Sequence, residues 1–163
     1  MVAIEKIEQV LKSFVRYYNI KREDVTPPFF AEAEFISHNE QYYLVKAAKV
    51  ADIDSNEYVF FAVEERLTLD KLLELDKTAW ETGMSRVKPY YGHKNSDVTL
   101  VIIADHIDQD AFLKVKKLKH SKSYKFSLYG YSNYKLIAMD TSLDRLTYNR
   151  QGQSLKNVLN NKI

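Results

Sequence analysis

The sequence predicts a mixed α/β fold, with one mixed sheet of about five or six strands and helices packed on that sheet. Segments with helical spacing of apolar residues alternate along the chain with short runs rich in β-branched and aromatic residues. An uninterrupted apolar run, VTLVIIA at 98–104, is typical of a strand covered on both faces. The predicted order of elements is α-β-β-β-α-β-α-β-β. With 163 residues, 45% of them hydrophobic, the chain suits a single domain over 1–163.

The first half of the chain predicts a helix followed by three strands. Apolar residues recur at helical spacing over 3–18, and the prolines of TPP at 26–28 prevent that helix from continuing. Strand-like runs follow at 29–37, 41–50 and 57–63. Because the connections between these runs are short and polar, we expect an antiparallel meander.

A second helix and a buried strand come next. Thr68 can cap the start of the helix with its hydroxyl, and Gly83 stands where a left-handed C-terminal cap belongs. Asp97 and Asp105 bound the apolar run between them. The sequence therefore predicts that this strand lies at the centre of the sheet.

The last third of the chain predicts a helix, a hairpin and a short tail. Asp108 can cap a helix at roughly 109–119, whose lysines face away from its apolar side. YKFSLY and YKLIAM, joined by the turn residues GYSN, predict a hairpin at 124–139. The tail at 143–163 is expected to add a turn and a short helix.

Composition excludes several classes of protein. Because the chain has no cysteine, disulfides, thiolate metal sites and cysteine nucleophiles are excluded. The four glycines are isolated, so phosphate-binding and dinucleotide-binding loops are absent. The N-terminal segment lacks the pattern of a signal peptide, and no apolar run approaches the roughly 18 residues of a membrane helix. We therefore expect a cytoplasmic protein without a membrane segment.

Charge is divided unevenly along the chain. Residues 1–81 carry 10 basic and 16 acidic side chains, whereas residues 82–163 carry 14 basic and 6 acidic ones, giving −6 and +8. Such asymmetry bears on partners and association rates rather than on the fold. One hypothesis that follows is a homodimer or larger homo-oligomer joined through the oppositely charged halves.

The basic stretch LKVKKLKHSKSYKF at 113–126 has two interpretations. Its lysines are typical of the solvated face of an amphipathic helix, with Lys119 and His120 favoured by the dipole at the helix C-terminus. Alternatively, they form part of a basic surface with aromatic platforms for an anionic partner, either a nucleic acid or an acidic protein. This second interpretation predicts a non-enzymatic binding protein without a cofactor. Its candidate residues are Lys114, Lys117, Lys122, Lys125 and Lys135, with Tyr129 and Tyr131 and the nearby Tyr124 and Tyr134.

The order of elements over about 3–104 resembles the core of the restriction-endonuclease-like nucleases. That resemblance implies an acid on one strand and an acid-x-Lys motif on the next, which together bind Mg²⁺ or Mn²⁺. The nearest match, DIDSNEYVFFAVEER, offers Asp52 or Asp54 as the first acid and Glu64 as the second. Arg66 replaces the expected lysine and cannot act as a base. Three other glutamates are alternative ligands: Glu32, Glu34 and Glu40.

Two further patterns concern histidine. The four histidines lack the spacing of a zinc motif, so no zinc site is predicted. Asp105 and His106 follow the predicted central strand, where open α/β sheets commonly bind ligands. An aspartate at this position is more typical of a strand that simply ends there.

Three segments resemble a family of uncharacterised bacterial proteins of similar length. They are NEYVFFAVEE, VKPYYGHKNSDVTLVIIAD and KLKHSKSYKFSLYGYSNYKLI, which together span about 56–137. The resemblance implies a cytoplasmic bacterial protein of one domain. It implies no activity, cofactor or catalytic residue.

Overall fold

The computed structural model describes residues 1–36, 55–87, 95–124 and 130–160. Within these ranges seven strands form one mixed sheet, and helices pack on both of its faces. The strands are β1 (Asn19–Lys21), β2 (Ala31–Ile36), β3 (Ser55–Leu67), β4 (Asn95–Ile107), β5 (Ser121–Ser123), β6 (Tyr131–Asp140) and β7 (Arg145–Tyr148). The helices are α1 (Val2–Phe14), α2 (Leu69–Arg86), α3 (Gln109–Val115) and α4 (Lys156–Asn160), the last preceded by a 3₁₀ turn at Gln151–Leu155. The predicted mixed α/β fold class and order of elements are confirmed.

The sheet has the order β1-β2-β3-β4-β6-β5, and β7 also pairs with β6. β4 lies between β3 and β6 and runs parallel to both, which confirms the predicted central strand. β2 pairs directly with β3 and runs antiparallel to it, so the predicted meander is wrong. In a meander the strand at 41–50 would separate these two strands, and they would run parallel. The predicted strand at 41–50 lies outside the described residues.

Alternate side chains of the central strands face two separate cores, because successive residues of a strand point to opposite faces. On one face Phe60 and Leu100 pack with Leu72 of α2. On the other face Val59 and Val101 pack with α1 and with the C-terminal segment. The sheet is therefore covered on both sides at its centre.

α1 begins at a carboxylate from the centre of the sheet and ends earlier than predicted. Asp105 Oδ1 accepts a hydrogen bond from the backbone N of Ala3 at 2.9 Å, and so caps the first turn. The helix ends at Phe14, whose carbonyl accepts from the amides of Tyr17 and Tyr18 at 3.3 and 2.9 Å. Asp105 thus has a structural role, but it does not end the strand as predicted, because β4 continues to Ile107.

α2 confirms one predicted cap and corrects the other. Thr68 Oγ1 accepts from the backbone N of Lys71 at 3.1 Å, as expected of an N-cap. Gly83 is not a C-terminal cap, because the helix continues to Arg86. A Cβ at Gly83 would lie 2.5 Å from Cγ2 of Val98 on β4, so this glycine permits close packing of helix on sheet.

Substitution Gly83→Ala is expected to lower the free energy of unfolding by about 1–2 kcal/mol, because forced overpacking costs more than the helix propensity gained. Urea denaturation followed by circular dichroism measures the change. Glu81→Ala, at an exposed position of the same helix, is the control and should stay within about 0.5 kcal/mol of the parent. A Gly83→Ala protein as stable as the parent would contradict the close packing.

α3 is shorter than predicted and begins without the expected side-chain cap. It ends at Val115 rather than near 119, and Asp108 makes no capping hydrogen bond. The Asp108 carboxylate instead forms a two-point ion pair with Arg66, with Nε–Oδ1 and Nη2–Oδ2 distances of 2.8 and 3.1 Å. The Asp108 carboxylate therefore binds the guanidinium of Arg66 on β3 instead of the first backbone amides of α3.

The second strand of the predicted hairpin is present, but the predicted turn is wrong, because Tyr131, Ser132 and Asn133 belong to β6. β6 pairs antiparallel with β5, which ends at Ser123, before the predicted first strand begins. Residues 125–129 of that first strand lie outside the described residues. The tail adds the expected turn and short helix, and also contributes β7, which was not predicted.

Candidate functional site

A pocket of about 510 Å³ lies beside the segment that follows α3. The described side chains that line it include three cations and a histidine, and none of them is acidic. We call it the basic pocket. Its lining residues are Lys116, Lys119, His120, Ser121, Asn133, Tyr134, Asn149, Arg150 and Gln151.

Asn149, which is only 3% exposed, holds the walls of the basic pocket together. Its Oδ1 accepts from the backbone N of Leu136 and of Gly152 at 3.0 and 2.8 Å. Its Nδ2 donates to the carbonyls of Leu118 and Tyr134 at 2.9 and 3.1 Å. One amide group therefore joins the post-α3 segment, β6 and the 3₁₀ turn.

Gly152 allows the 3₁₀ turn to lie directly against β6. A Cβ at this position would be 2.2 Å from the carbonyl oxygen of Leu136, closer than any side chain could approach. The tight contact fixes the turn beside the strand. Arg150 and Gln151 are consequently held at the edge of the basic pocket.

His120 is held by a buried carboxylate. Its Nε2 lies 2.9 Å from Oδ2 of Asp76, an α2 residue whose side chain is 8% exposed. A carboxylate accepts only, so this contact assigns the proton of a neutral imidazole to Nε2 and leaves the lone pair on Nδ1. Asp76 Oδ1 is buried without a hydrogen-bond partner among the described residues.

Two aromatic rings fix the plane of the imidazole. Trp80 stacks on His120 with ring centroids 5.1 Å apart and planes 16° from parallel. Tyr134 contacts the imidazole edge-on, with centroids 4.9 Å apart. Complete burial, together with the negative charge of Asp76, raises the pKa of Tyr134 well above its usual value, so its hydroxyl stays protonated. His120 thus has a defined orientation at the pocket wall.

The lysines predicted from sequence to form an anion surface lie outside this pocket. Lys117 and Lys122 are exposed, and Lys114 is partly buried on α3. Lys122 lies over the ring of Tyr124, with its Nζ 5.5 Å from the centroid. Tyr131 is 44% exposed, whereas Tyr134 is completely buried and offers no stacking surface. Lys125 and Tyr129 fall outside the described residues.

Lys135 belongs to a different group of charges on the α1 face of the sheet. Its Nζ lies 3.5 Å from Oδ2 of Asp97 on the adjacent strand β4, and 3.4 Å from Oε2 of Glu57 on β3, one strand further away. We call Glu57, Asp97 and Lys135 the polar triad. With two carboxylates around its ammonium, Lys135 does not contribute to a basic surface.

Hydrogen bonds complete the polar triad around Glu57. Thr99 Oγ1 donates to Glu57 Oε2 at 2.6 Å, and the hydroxyl of Tyr18 donates to Oε1. Burial by itself raises the pKa of Glu57, but the Lys135 ammonium and these donors bring it below its usual value. For Asp97, burial prevails over the attraction of Lys135 and raises the pKa. The triad therefore holds two carboxyls of unequal acidity around one cation.

The residues of the predicted metal-nuclease motif are engaged by other side chains where they are described. Glu64 faces Lys71, with Oε1 and Nζ 3.8 Å apart, and Arg66 pairs with Asp108. Asp52 and Asp54 lie outside the described residues. Over 1–36, 55–87, 95–124 and 130–160, no three His, Asp or Glu side chains come together as metal ligands.

The additional glutamates and the strand-end residues follow the same pattern. Glu32 is buried and pairs with Arg86, with Oε1 and Nη1 2.6 Å apart. Glu34 is half-buried on β2, and Glu40 lies outside the described residues. His106 is 52% exposed between Asp108 and Asp140, at 3.6 and 3.7 Å. Glu32, Glu34 and Arg86 line a second pocket of about 350 Å³, together with Asn19, Ile20, Lys21 and Ala33, and its lining contains both carboxylates and cations.

Sequence reasoning missed the basic pocket because its parts are distant along the chain. Lys119 and His120 were recognised as helix-end cations, but Arg150 and Asn149 lie in a tail without a functional signal. The buried partner of His120, Asp76, is 44 positions earlier in the chain. The one local indication is the stretch NRQG at 149–152, in which an asparagine and a glycine are typical of a tight turn.

No helix among the described residues has both the length and the apolar character needed to cross a membrane. No curated protein and no solved structure matches the sequence. The resemblance to a restriction-endonuclease-like core is therefore not confirmed. The model of the domain of unknown function DUF8052 matches residues 3–161, in agreement with the resemblance to an uncharacterised family. This chain thus belongs to the DUF8052 family.

Proposed function

We propose that the protein binds a small phosphate-bearing ligand in the basic pocket. The observation that supports this proposal is the charge of the lining: Lys116, Lys119 and Arg150 converge with His120, without a lining carboxylate among the described residues. Arginine offers a planar fork of donors to phosphate oxygens, and lysine offers a compact charge. The amide groups of Asn133 and Gln151 supply neutral hydrogen-bonding groups at the same wall.

The shape of the site favours a small molecule over an extended polyanion. About 510 Å³ falls within the range of small-molecule pockets, whereas single-stranded nucleic acids are bound along grooves with exposed aromatic platforms. The nearest aromatic ring of the pocket, Tyr134, is completely buried. A nucleic acid would therefore engage the site through a terminal phosphate rather than through stacked bases.

Long-range electrostatics supports the same ligand class. β4, β6 and the C-terminal segment belong to the half of the chain with a charge of +8, so the anion approaches the basic side of the molecule. The acidic half supplies α1, β1, β2, β3 and most of α2, the helix that carries Asp76 and Trp80. The three cations of the basic pocket, Lys116, Lys119 and Arg150, all come from the basic half.

The ligand can be detected with the protein's own fluorescence. Trp80 is the single tryptophan and stacks on His120 at the pocket wall. We expect a saturable change in its emission on titration with pyrophosphate or a 5′-phosphorylated dinucleotide. The dinucleotide without the phosphate should give no change. A response to neither phosphate-bearing ligand, with calorimetry also flat, would refute the proposed function.

Arg150→Ala and Lys116→Ala are each expected to weaken pyrophosphate binding by roughly tenfold, because each removes a charge-assisted hydrogen bond to phosphate. Isothermal titration calorimetry at fixed ionic strength measures the effect. Lys117→Ala removes the same charge from the neighbouring, exposed position outside the pocket and is the matched control. If Lys117→Ala weakens binding as much as Lys116→Ala does, the anion is held by a diffuse basic surface, as for a polyanion, and not by the pocket.

A further inference from the structure

The orientation of His120 suits chemistry as well as binding. Its Nε2 is engaged by Asp76 at 2.9 Å, and Trp80 stacks on one face of the ring. Nδ1 is then the ring nitrogen that keeps a lone pair, and the His120 side chain lines the basic pocket with 30% of its surface exposed. A nucleophilic imidazole requires this arrangement, in which a buried carboxylate fixes the tautomer and stabilises the positive charge that develops on the ring.

The surrounding cations suit phosphorus as the electrophile. Lys116, Lys119 and Arg150 would neutralise the non-bridging oxygens of a phosphoryl group, which lowers the electrostatic barrier to an approaching lone pair. The described lining has no carboxylic acid that could protonate a poor leaving group such as an alkoxide, and its cations are needed to neutralise the phosphoryl oxygens. The site therefore best suits a donor whose leaving group departs without a general acid.

We propose that His120 is a phosphoryl acceptor, which takes a phosphoryl group on Nδ1 from an acyl phosphate or a phosphoramidate bound in the basic pocket. This inference rests on the proposed function, since it requires the phosphate to bind there. Beyond phosphate binding, it specifies covalent transfer of a phosphoryl group to His120 and the chemical class of the phosphoryl donor.

The step is balanced without a further reactant. The Nδ1 lone pair forms a bond to phosphorus while the bond from phosphorus to the leaving oxygen or nitrogen breaks, and the leaving group keeps that electron pair. A carboxylate leaves as a stable anion, and an amine leaves with a proton from solvent. Asp76 holds the Nε2 proton and stabilises the charged ring. Water later attacks phosphorus, the electron pair of the P–N bond returns to Nδ1, and inorganic phosphate is released while solvent takes the proton.

Asp76 acts here as a positioning residue. Its side chain is 8% exposed and does not line the pocket, so it acts on the donor only through His120. Asp76→Asn keeps an oxygen that accepts from Nε2 but removes the negative charge. The rate of phosphorylation should fall roughly a hundredfold, while calorimetric binding of pyrophosphate stays at the parental level, because the cations are unchanged.

The experiment incubates the full chain with acetyl phosphate or phosphoramidate and detects phosphohistidine by intact mass and by its acid-labile, alkali-stable signal in ³¹P NMR. We expect one phosphoryl group, located on His120 by peptide mapping, and its loss in His120→Gln. His106→Gln is the matched control, because His106 also lies beside carboxylates but outside the basic pocket. That variant should be phosphorylated as the parent is.

The outcomes separate the two proposals. Binding of pyrophosphate without any phosphohistidine overturns the phosphoryl-acceptor inference and leaves the proposed function standing. Absence of both binding and phosphorylation overturns both. Phosphorylation that persists in His120→Gln places the modification elsewhere and overturns the inference. Far-UV circular dichroism and thermal unfolding show whether His120→Gln is folded, independently of its affinity for pyrophosphate.

Discussion

Lys135→Met is expected to lower the free energy of unfolding by about 3–5 kcal/mol at neutral pH, the scale of breaking a buried ion pair. Nζ of Lys135 lies 3.4 and 3.5 Å from the carboxylates of Glu57 and Asp97, which are mostly buried. Removing the ammonium leaves two neighbouring carboxyls without a cation. The cost arises from those uncompensated charges rather than from lost packing, since methionine retains the aliphatic stem.

The loss should depend on pH with a defined sign. In the parent, the pKa of Glu57 is below its unfolded value, so its contribution is present above that value and is lost as the pH falls through the folded pKa. Without Lys135, both carboxyls gain protons in the folded state, and stability then decreases as the pH rises. The deficit of Lys135→Met should therefore be smaller at pH 5 than at pH 8 in urea denaturation.

Two controls test this explanation of the Lys135→Met result. Adding Glu57→Gln to Lys135→Met should recover part of the lost stability, because one of the two unpaired charges is removed. Lys122→Met, at an exposed position of β5, should change stability by no more than about 0.5 kcal/mol. An equal deficit at both pH values would show that the triad is not the source of the effect.

Asn149→Ala is expected to lower the free energy of unfolding by about 3–5 kcal/mol, because it leaves buried backbone groups without partners. The side chain satisfies the N–H groups of Leu136 and Gly152 and the carbonyls of Leu118 and Tyr134. Loss of the same contacts separates the walls of the basic pocket. Pyrophosphate binding, measured by calorimetry, should therefore disappear along with the stability measured by thermal unfolding.

The matched control for Asn149→Ala is Asn157→Ala, an exposed asparagine on the short helix α4. It should leave both unfolding and binding within error of the parent. If Asn149→Ala retains pyrophosphate binding at a temperature where it is folded, the amide does not position the pocket walls. The proposed link between this side chain and the site would then be incorrect.

The sequence predicted those parts of the fold whose signals are local. The Val and Ile run at 98–104 identified the central strand, since continuous apolar character is required where both faces are buried. Thr68 marked the start of α2 because its hydroxyl competes for the first amides of a helix. β7 escaped detection because its four residues, partly exposed, carry too little pattern for an assignment.

The candidate site depends on contacts between distant segments and could be predicted only in part. The lysines near 116–120 were visible as a basic run, but their division between pocket and open surface depends on which way the chain turns after α3. Lys135 was assigned to the basic surface because its strand neighbours could not be known from sequence. Pairing of β6 with β4 places that ammonium beside Asp97 and across from Glu57.

The parallel pairing at the middle of the sheet has a consequence for how the chain assembles. Ser55 is aligned with Asn95, and Val98 with Tyr134, so each central pair joins residues some 36 to 40 positions apart. The chain must lose the conformational entropy of these long loops before any of the contacts between the strands can form. No tight hairpin connects the three strands. We therefore expect slow folding. In the transition state β4 should already be paired with both β3 and β6.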